Sequence, residues 1–267
     1  MIEAPPLTGI HVVSTRPREH ADGFEARVRA LGGVPTVAPA IAIGEPRSWA
    51  PVDEALRRLD DYAWIAFTSG NAGRALLDRL EAQGIGPGRG RPRLAAIGPA
   101  TAATLVARGW RPNLVASGHR AEAFAHAFPL LAGERILFPH GDLARDTLPT
   151  LLRRRGARVD EVVAYRTLPG EGIPAIVGLL RADAADALLF ASPSAVDFLA
   201  TALLAIGLSP KALSRNDRPA VFCVGPSTGE AASAAGFRPA GIAPIASDEA
   251  LLAEAARWFG ARASRAE

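Results

Sequence analysis

Cysteine is almost missing from this chain: Cys223 is the only one. A lone thiol excludes an internal disulfide framework and a cysteine-rich metal site. Set in the apolar run Val221 to Val224, it reads as a small buried hydrophobe. Histidine is sparse too. His11, His20, His119, His126 and His140 include no pair at zincin spacing, so no metal centre is expected. There is no Walker loop and no Gly-x-Ser-x-Gly elbow. The run Gly84 to Gly90 has misspaced glycines and follows a helical pattern, so it is not a dinucleotide fingerprint. Lys211 is the only lysine, so arginine carries nearly all the positive charge behind a net +3. Those arginines are dispersed without interleaved aromatics, which argues against a nucleic-acid partner. Arg153-Arg154-Arg155 closes a predicted helix, where positive charge suits the dipole. Met1 to Thr8 shows no basic segment followed by an apolar core, so no export signal is expected. The longest apolar stretch, Leu199 to Leu208, is about half a membrane span. The expectation is a cytoplasmic protein with no membrane attachment.

What is present is a repeat. Trp64-Ile65-Ala66-Phe67-Thr68-Ser69-Gly70-Asn71 returns as Leu188-Leu189-Phe190-Ala191-Ser192-Pro193-Ser194. Each copy is an apolar run too short for a helix, ending in small polar residues that suit the N-cap of a helix. Leu94 to Thr101 answers to Val221 to Thr228, and both continue through an alanine-rich helix to Trp110-Arg111-Pro112 and Phe237-Arg238-Pro239. Val12-Val13 matches Ile136-Leu137, and Gly32 matches Gly156. The separation is nearly constant over most of the chain. Two copies of one α/β unit follow, with strands alternating with helices in a parallel sheet.

Two extended segments, Val34 to Ile43 and Arg158 to Thr167, fall at equivalent places in the copies. Pro35 and Pro39 exclude a central strand for the first. Read as paired crossings, these segments predict a discontinuous lobe of 1–38 plus 170–267 and a second lobe of 44–157. Residues 39–43 and 158–169 then serve as linker strands, with a cleft between the lobes.

The candidate site residues lie where strands give way to helices. Thr68-Ser69-Gly70-Asn71, Gly98 to Thr101, Ser192 to Ser194 and Gly225 to Thr228 each open a helix, presenting unpaired N–H groups and a positive dipole end. One such turn is only a cap; four at matched places form a rim for a ligand with several carboxylates. Arg16 follows the first strand and is either an anion ligand or a surface arginine. His140, at the end of Arg135-Ile136-Leu137-Phe138-Pro139-His140-Gly141, joins the binding candidates. Tyr165, one of two tyrosines, sits on the second crossing. It either packs a hinge or gives a proton to a leaving group.

Six motifs in register carry a resemblance. Ser14-Thr15-Arg16-Pro17, Phe67-Thr68-Ser69-Gly70-Asn71-Ala72, Ala96-Ile97-Gly98-Pro99-Ala100-Thr101, Val163-Ala164-Tyr165-Arg166-Thr167, Phe190-Ala191-Ser192-Pro193-Ser194-Ala195 and Val224-Gly225-Pro226-Ser227-Thr228 resemble the uroporphyrinogen-III synthase family, in the family's order. One departure is Ala191, where the family often has threonine. The resemblance implies two flavodoxin-like lobes with parallel sheets, joined by a two-stranded linker, and an active-site cleft between them. It implies a cofactor-free, cyclising lyase that converts hydroxymethylbilane to uroporphyrinogen III with inversion of ring D. It also implies a monomer that meets the upstream hydroxymethylbilane synthase transiently. By the same resemblance Tyr165 assists loss of hydroxide. Ser69, Ser192, Ser227 and Thr228 are carried over as substrate contacts, and Arg16, Thr68, Asn71, Gly98, Thr101, His140, Ser194 and Gly225 complete the set of candidate substrate-binding residues. Two competing classes have a sequence objection each: a non-catalytic two-lobed binding protein would normally carry an export signal, and a dinucleotide enzyme would carry a fingerprint loop.

Overall fold

The computed structural model describes residues 5–18, 21–87, 92–116, 120–213 and 218–263. Glu19, His20, the end of the glycine-rich loop at Gly88 to Gly90, and His119 lie outside the described residues. The chain divides into two compact units: Met1–Ala42 with Leu168–Glu267, and Ile43–Thr167.

The first unit is built on strands β1 (His11–Ser14), β2 (Val34–Val37), β9 (Ala187–Phe190), β10 (Ala220–Cys223) and β11 (Pro239–Ile242). Its sheet runs β11-β10-β9-β1-β2, and every described pairing is parallel. All four residues of β9 and of β10 are buried, the signature of strands covered on both faces. Alternation divides them. Val13, Leu188, Phe190, Val221 and Cys223 face helices α7 (Ile173–Arg181), α8 (Pro193–Ala205) and α10 (Pro226–Ala234). Val12, Ala187, Leu189, Ala220 and Phe222 face α1 (Ala21–Ala30) and α11 (Asp248–Ala263). Burial pushes the Cys223 thiol up to about 12, as befits a core hydrophobe.

The second unit holds β3 (Ile41–Gly44), β4 (Trp64–Phe67), β5 (Arg93–Ala96), β6 (Leu114–Val115), β7 (Arg135–Gly141) and β8 (Arg158–Pro169). Its sheet runs β3-β8-β7-β4-β5-β6. Ile65, Phe67, Leu94, Leu137 and Val162 face α2 (Ala50–Arg57), α3 (Gly70–Ala82) and α4 (Pro99–Val106). Trp64, Ala66, Ala95, Ile136, Phe138 and Val159 face α5 (Ala121–Ala127) and α6 (Thr147–Arg154). The first unit also holds a short helix, α9 (Pro210–Leu213).

With β3, which extends the second sheet beyond β8, set aside, β2-β1-β9-β10-β11 and β8-β7-β4-β5-β6 are the same arrangement. It is the flavodoxin-like order 2-1-3-4-5, with a switch point between its first and third strands. The first two strands of each sequence repeat pair with the last three of the other. The segment read from sequence as a connector, 158–169, is a twelve-residue strand that pairs with β7 from Arg158 to Tyr165 and has β3 as its other neighbour. No helix among the described residues is long and apolar enough to cross a membrane.

Candidate active site

Because the described strand pairs are parallel, the turns that follow the strands gather at one edge of each sheet. In the second unit these are the turns after β4, β5 and β7. Ser69 is the N-cap of α3: its backbone is extended and its Oγ accepts from the Ala72 N–H at 3.1 Å. Capping leaves the serine proton free to donate. Tyr165, half-buried on β8 opposite Gly141 at the end of β7, places its phenolic oxygen 3.4 Å from Ser69 Oγ. Its ring packs against the core shared with α2 and α3. Asn71 accepts from Arg74 on the next turn. Gly98 caps α4 with extended backbone and no side-chain bond, and Pro99 follows as the first helical residue. Thr101, one turn in, is 6% exposed.

The first unit repeats these parts. Ser192 caps α8, its Oγ accepting from the Ala195 N–H at 3.2 Å. Ser194 stands in the first turn of that helix. Gly225 caps α10 in the same extended conformation as Gly98, followed by Pro226. Ser227 is exposed and Thr228 is 3% exposed. Thr68 and Ser69 thus share one edge with Gly98, Thr101 and Tyr165, and Arg16, Ser192, Ser194, Gly225, Ser227 and Thr228 share the other.

Two candidates sit differently from the rest. His140 is on β7, but its ring stacks on Phe138, 5.2 Å between centroids, on the α5–α6 face. Tyr165 and Ser69 belong to the opposite face. The His140 Nδ1–H donates to the Gly141 carbonyl at 2.8 Å. Arg16 forms an ion pair with Asp248 at the start of α11, and both side chains are largely covered. Burial lowers its pKa, against the opposing pull of Glu249. A ligand carboxylate at Arg16 therefore competes with Asp248.

Sequence reading passed over three residues. Thr15, 1% exposed, ties the ends of β1 and β9: its hydroxyl donates to the Leu189 carbonyl at 3.0 Å and accepts from the Ala191 N–H at 3.0 Å. Asp248 is the partner of Arg16; its position before the apolar run of α11 was the available signal. Gly141 lies against the Tyr165 ring, a contact made only in the folded chain.

A parallel α/β sheet whose carboxyl edge is set with helix starts and hydroxyls defines the class of doubly wound α/β proteins, in which that edge is the usual place for a ligand, and this chain contains two such sheets. Its relatives make the class specific. The family model described as uroporphyrinogen-III synthase HemD matches residues 22–253. A uroporphyrinogen-III synthase of Synechococcus elongatus is 34% identical over 181 residues, covering 66% of this chain and 69% of that one. A porphyrin biosynthesis protein HemD of Ruminiclostridium josui is 25% identical over 167 residues, 61% of this chain but 33% of its own length. Among solved structures, a mutant uroporphyrinogen III synthase from the extremely thermophilic bacterium Thermus thermophilus matches with TM-score 0.64 at 24% identity, covering 94% of this chain and 99% of that one. The synthetase from Helicobacter pylori matches at 0.58 and 18%, covering 92% and 98%. These two show the fold. The chain belongs to the uroporphyrinogen-III synthase family, cyclising lyases of porphyrin biosynthesis.

Proposed function

We propose that this member of the family holds hydroxymethylbilane by its carboxylate arms at the helix-opening turns and expels the terminal hydroxyl with the help of Tyr165. Hydroxymethylbilane is a linear tetrapyrrole with acetate and propionate arms. Loss of its hydroxyl as water leaves an azafulvene. The substituted carbon of ring D attacks that carbon to give a spiro intermediate, which fragments and recloses with ring D inverted. The net change is loss of one water.

The azafulvene also closes spontaneously, without inversion. The protein's task is therefore to hold a flexible polyanion in the shape that leads to the spiro step, which is catalysis by orientation. Backbone N–H groups at helix starts suit carboxylates because the dipole favours negative charge there. Ser69, Thr68, Asn71, Gly98 and Thr101 supply such contacts in one unit. Ser192, Ser194, Gly225, Ser227 and Thr228 supply them in the other, with Arg16 and His140 as further binding residues. The observation that carries the reading is the approach of the Tyr165 phenol to Ser69 Oγ, 3.4 Å, at the carboxyl edge of the sheet. A phenol there has a proton to give to departing hydroxide. The chain works in the cytoplasm as a monomer away from membranes, and it takes its unstable substrate in a transient encounter with the enzyme that makes it.

The test is turnover of freshly generated hydroxymethylbilane, with uroporphyrinogen isomers III and I measured separately. Tyr165→Phe removes the donor and keeps the ring. It should slow isomer III formation by on the order of a hundredfold, within the range of general-acid help, while the product stays inverted. Wild-type kinetics in Tyr165→Phe would remove the phenol from the chemistry.

A further inference from the structure

Tyr165 is seated by an absence on the neighbouring strand. A methyl group built on Gly141 would lie 2.5 Å from Tyr165 Cζ, 2.7 Å from Cε2 and 2.8 Å from the phenolic oxygen. Gly141 is not among the residues with left-handed backbone, so its conformation is open to any side chain. Its three nearest neighbours beyond the adjoining residues are all atoms of the Tyr165 side chain, so this ring is what excludes a side chain at 141.

The strand ladder supplies the second half of the device. β7 and β8 pair residue for residue up to His140 with Val163, and then Gly141 pairs with Tyr165, leaving Ala164 extra. Such a bulge turns the strand by one residue. Before it, Val159 faces α5 and α6, and Val162 faces α2 and α3. Unbroken alternation would put Tyr165 on the side of Val159, away from Ser69. The bulge reverses the alternation and brings Tyr165 onto the side of Val162 and Ser69. The backbone there is pinned from β7: the Asp142 N–H donates to the Tyr165 carbonyl at 3.1 Å, and the Thr167 N–H donates to the Asp142 carboxylate at 2.9 Å.

We propose that Gly141 is a positioning residue for the Tyr165 phenol: the bulge turns the ring to the Ser69 face, and the missing side chain at 141 lets it settle there. The proposal rests on the role of Tyr165 given above. Gly141→Ala forces the ring away from Ser69, because the atoms it meets belong to a side chain and not to the backbone. An ångström of misplacement costs up to about a hundredfold in rate. Gly141→Ala should therefore lower kcat by roughly ten- to a hundredfold with KM nearly unchanged.

Three measurements decide it. Adding Gly141→Ala to Tyr165→Phe should cause no further loss of kcat, because the displaced group is already gone; an additive loss overturns the proposal. With ring-labelled tyrosine, the protein shows two tyrosines, and Tyr62, hydrogen-bonded to Asp160 at 2.8 Å, is an internal reference. Gly141→Ala should move the Tyr165 resonances and leave those of Tyr62 in place; unmoved Tyr165 signals overturn the proposal. If Gly141→Ala lowers stability, combining it with Tyr165→Ala should restore it, since the obstacle is removed; failure to recover overturns the proposal. The spectrum also separates the two ideas. Shifted Tyr165 signals alongside a fully active Tyr165→Phe would uphold the seating and sink the acid role.

Discussion

Single residues show which polar groups serve the fold and which are left for chemistry. Ser69 and Ser192 are equivalent caps, with Oγ bonds of 3.1 and 3.2 Å to their helices. Alanine at either should lower stability by about 1 kcal/mol, measured by denaturant titration. Only Ser69 also approaches a phenol, so Ser69→Ala alone should change how Tyr165 acts. One neutral hydrogen bond is worth about 0.5–1.5 kcal/mol, so the rate should fall by roughly tenfold or less. A thousandfold loss would give the serine hydroxyl a chemical step. Asp160 is the converse, a charge used for structure. Burial raises its pKa, but hydrogen bonds from Tyr62 and Arg135 together outweigh that and hold it below the usual carboxylate value. A carboxylate depressed in the folded state adds stability that is present above its unfolded pKa and lost as pH falls through the folded value. Asp160→Asn should therefore lower the urea midpoint at neutral pH and flatten its fall in acid. A mutant with the wild-type acid slope would show that Asp160 does not drive it. Ser69 and Ser192 were legible as caps from their place before a helical pattern. The partners of Asp160 were not, because they come from distant stretches.

At the scale of elements, strand positions read best where both faces are buried. The bounds of β4 and β9 match the apolar runs Trp64 to Phe67 and Ala187 to Phe190 residue for residue. β11, by contrast, is Pro239-Ala240-Gly241-Ile242 at a sheet edge, with little apolar signal of its own. The repeat contained the clue, since Asn113-Leu114-Val115 follows Trp110-Arg111-Pro112 as this strand follows Phe237-Arg238. The crossings pack more closely than composition suggests. The Gly170 N–H donates to the Ala40 carbonyl at 3.0 Å and the Gly172 N–H to the Pro39 carbonyl at 2.9 Å. A Cβ on Gly170 would lie 2.2 Å from the Pro39 oxygen, and one on Gly172 would lie 2.3 Å from the Ala38 carbonyl carbon. These neighbours are backbone and cannot rotate away. Gly170→Ala or Gly172→Ala should destabilise by roughly 1–3 kcal/mol or more, while Gly178→Ala, with open space around it, should not. Equal thermal midpoints for all three would count against this packing.

For the whole chain, the units differ in continuity, and that has a consequence for folding. The segment 41–169 contains β3 to β8, both faces of their sheet and α2 to α6. The segment 170–267 lacks β1, which lies between β2 and β9 and covers the buried edge of Ala187, Leu188 and Leu189. The first fragment should unfold cooperatively on its own; the second should not fold. Cys223 reports the difference. Buried and with its thiol pushed up to about 12, it should resist alkylation in the full chain and react at once in the fragment 170–267. Protection of Cys223 in that fragment would show that β1 is dispensable.

Local chemistry alone decided the buried strands β4, β5, β9 and β10 and the caps after them, because a short apolar run with Ser-Gly, Ser-Pro or Gly-Pro close behind it has few other conformations open to it. The repeat likewise showed two copies of one unit from the order of residues alone. The paired crossings already pointed to a lobe of 1–38 with 170–267, but the order of the strands within each sheet was decided only in three dimensions, since β1 and β7 are alike in pattern and each pairs with the other copy's strands. The seat of Tyr165 was decided there as well. A one-residue bulge reverses the alternation of a strand, and neither that bulge nor the space left by Gly141 has a signature in the order of residues, since each depends on the strand lying alongside.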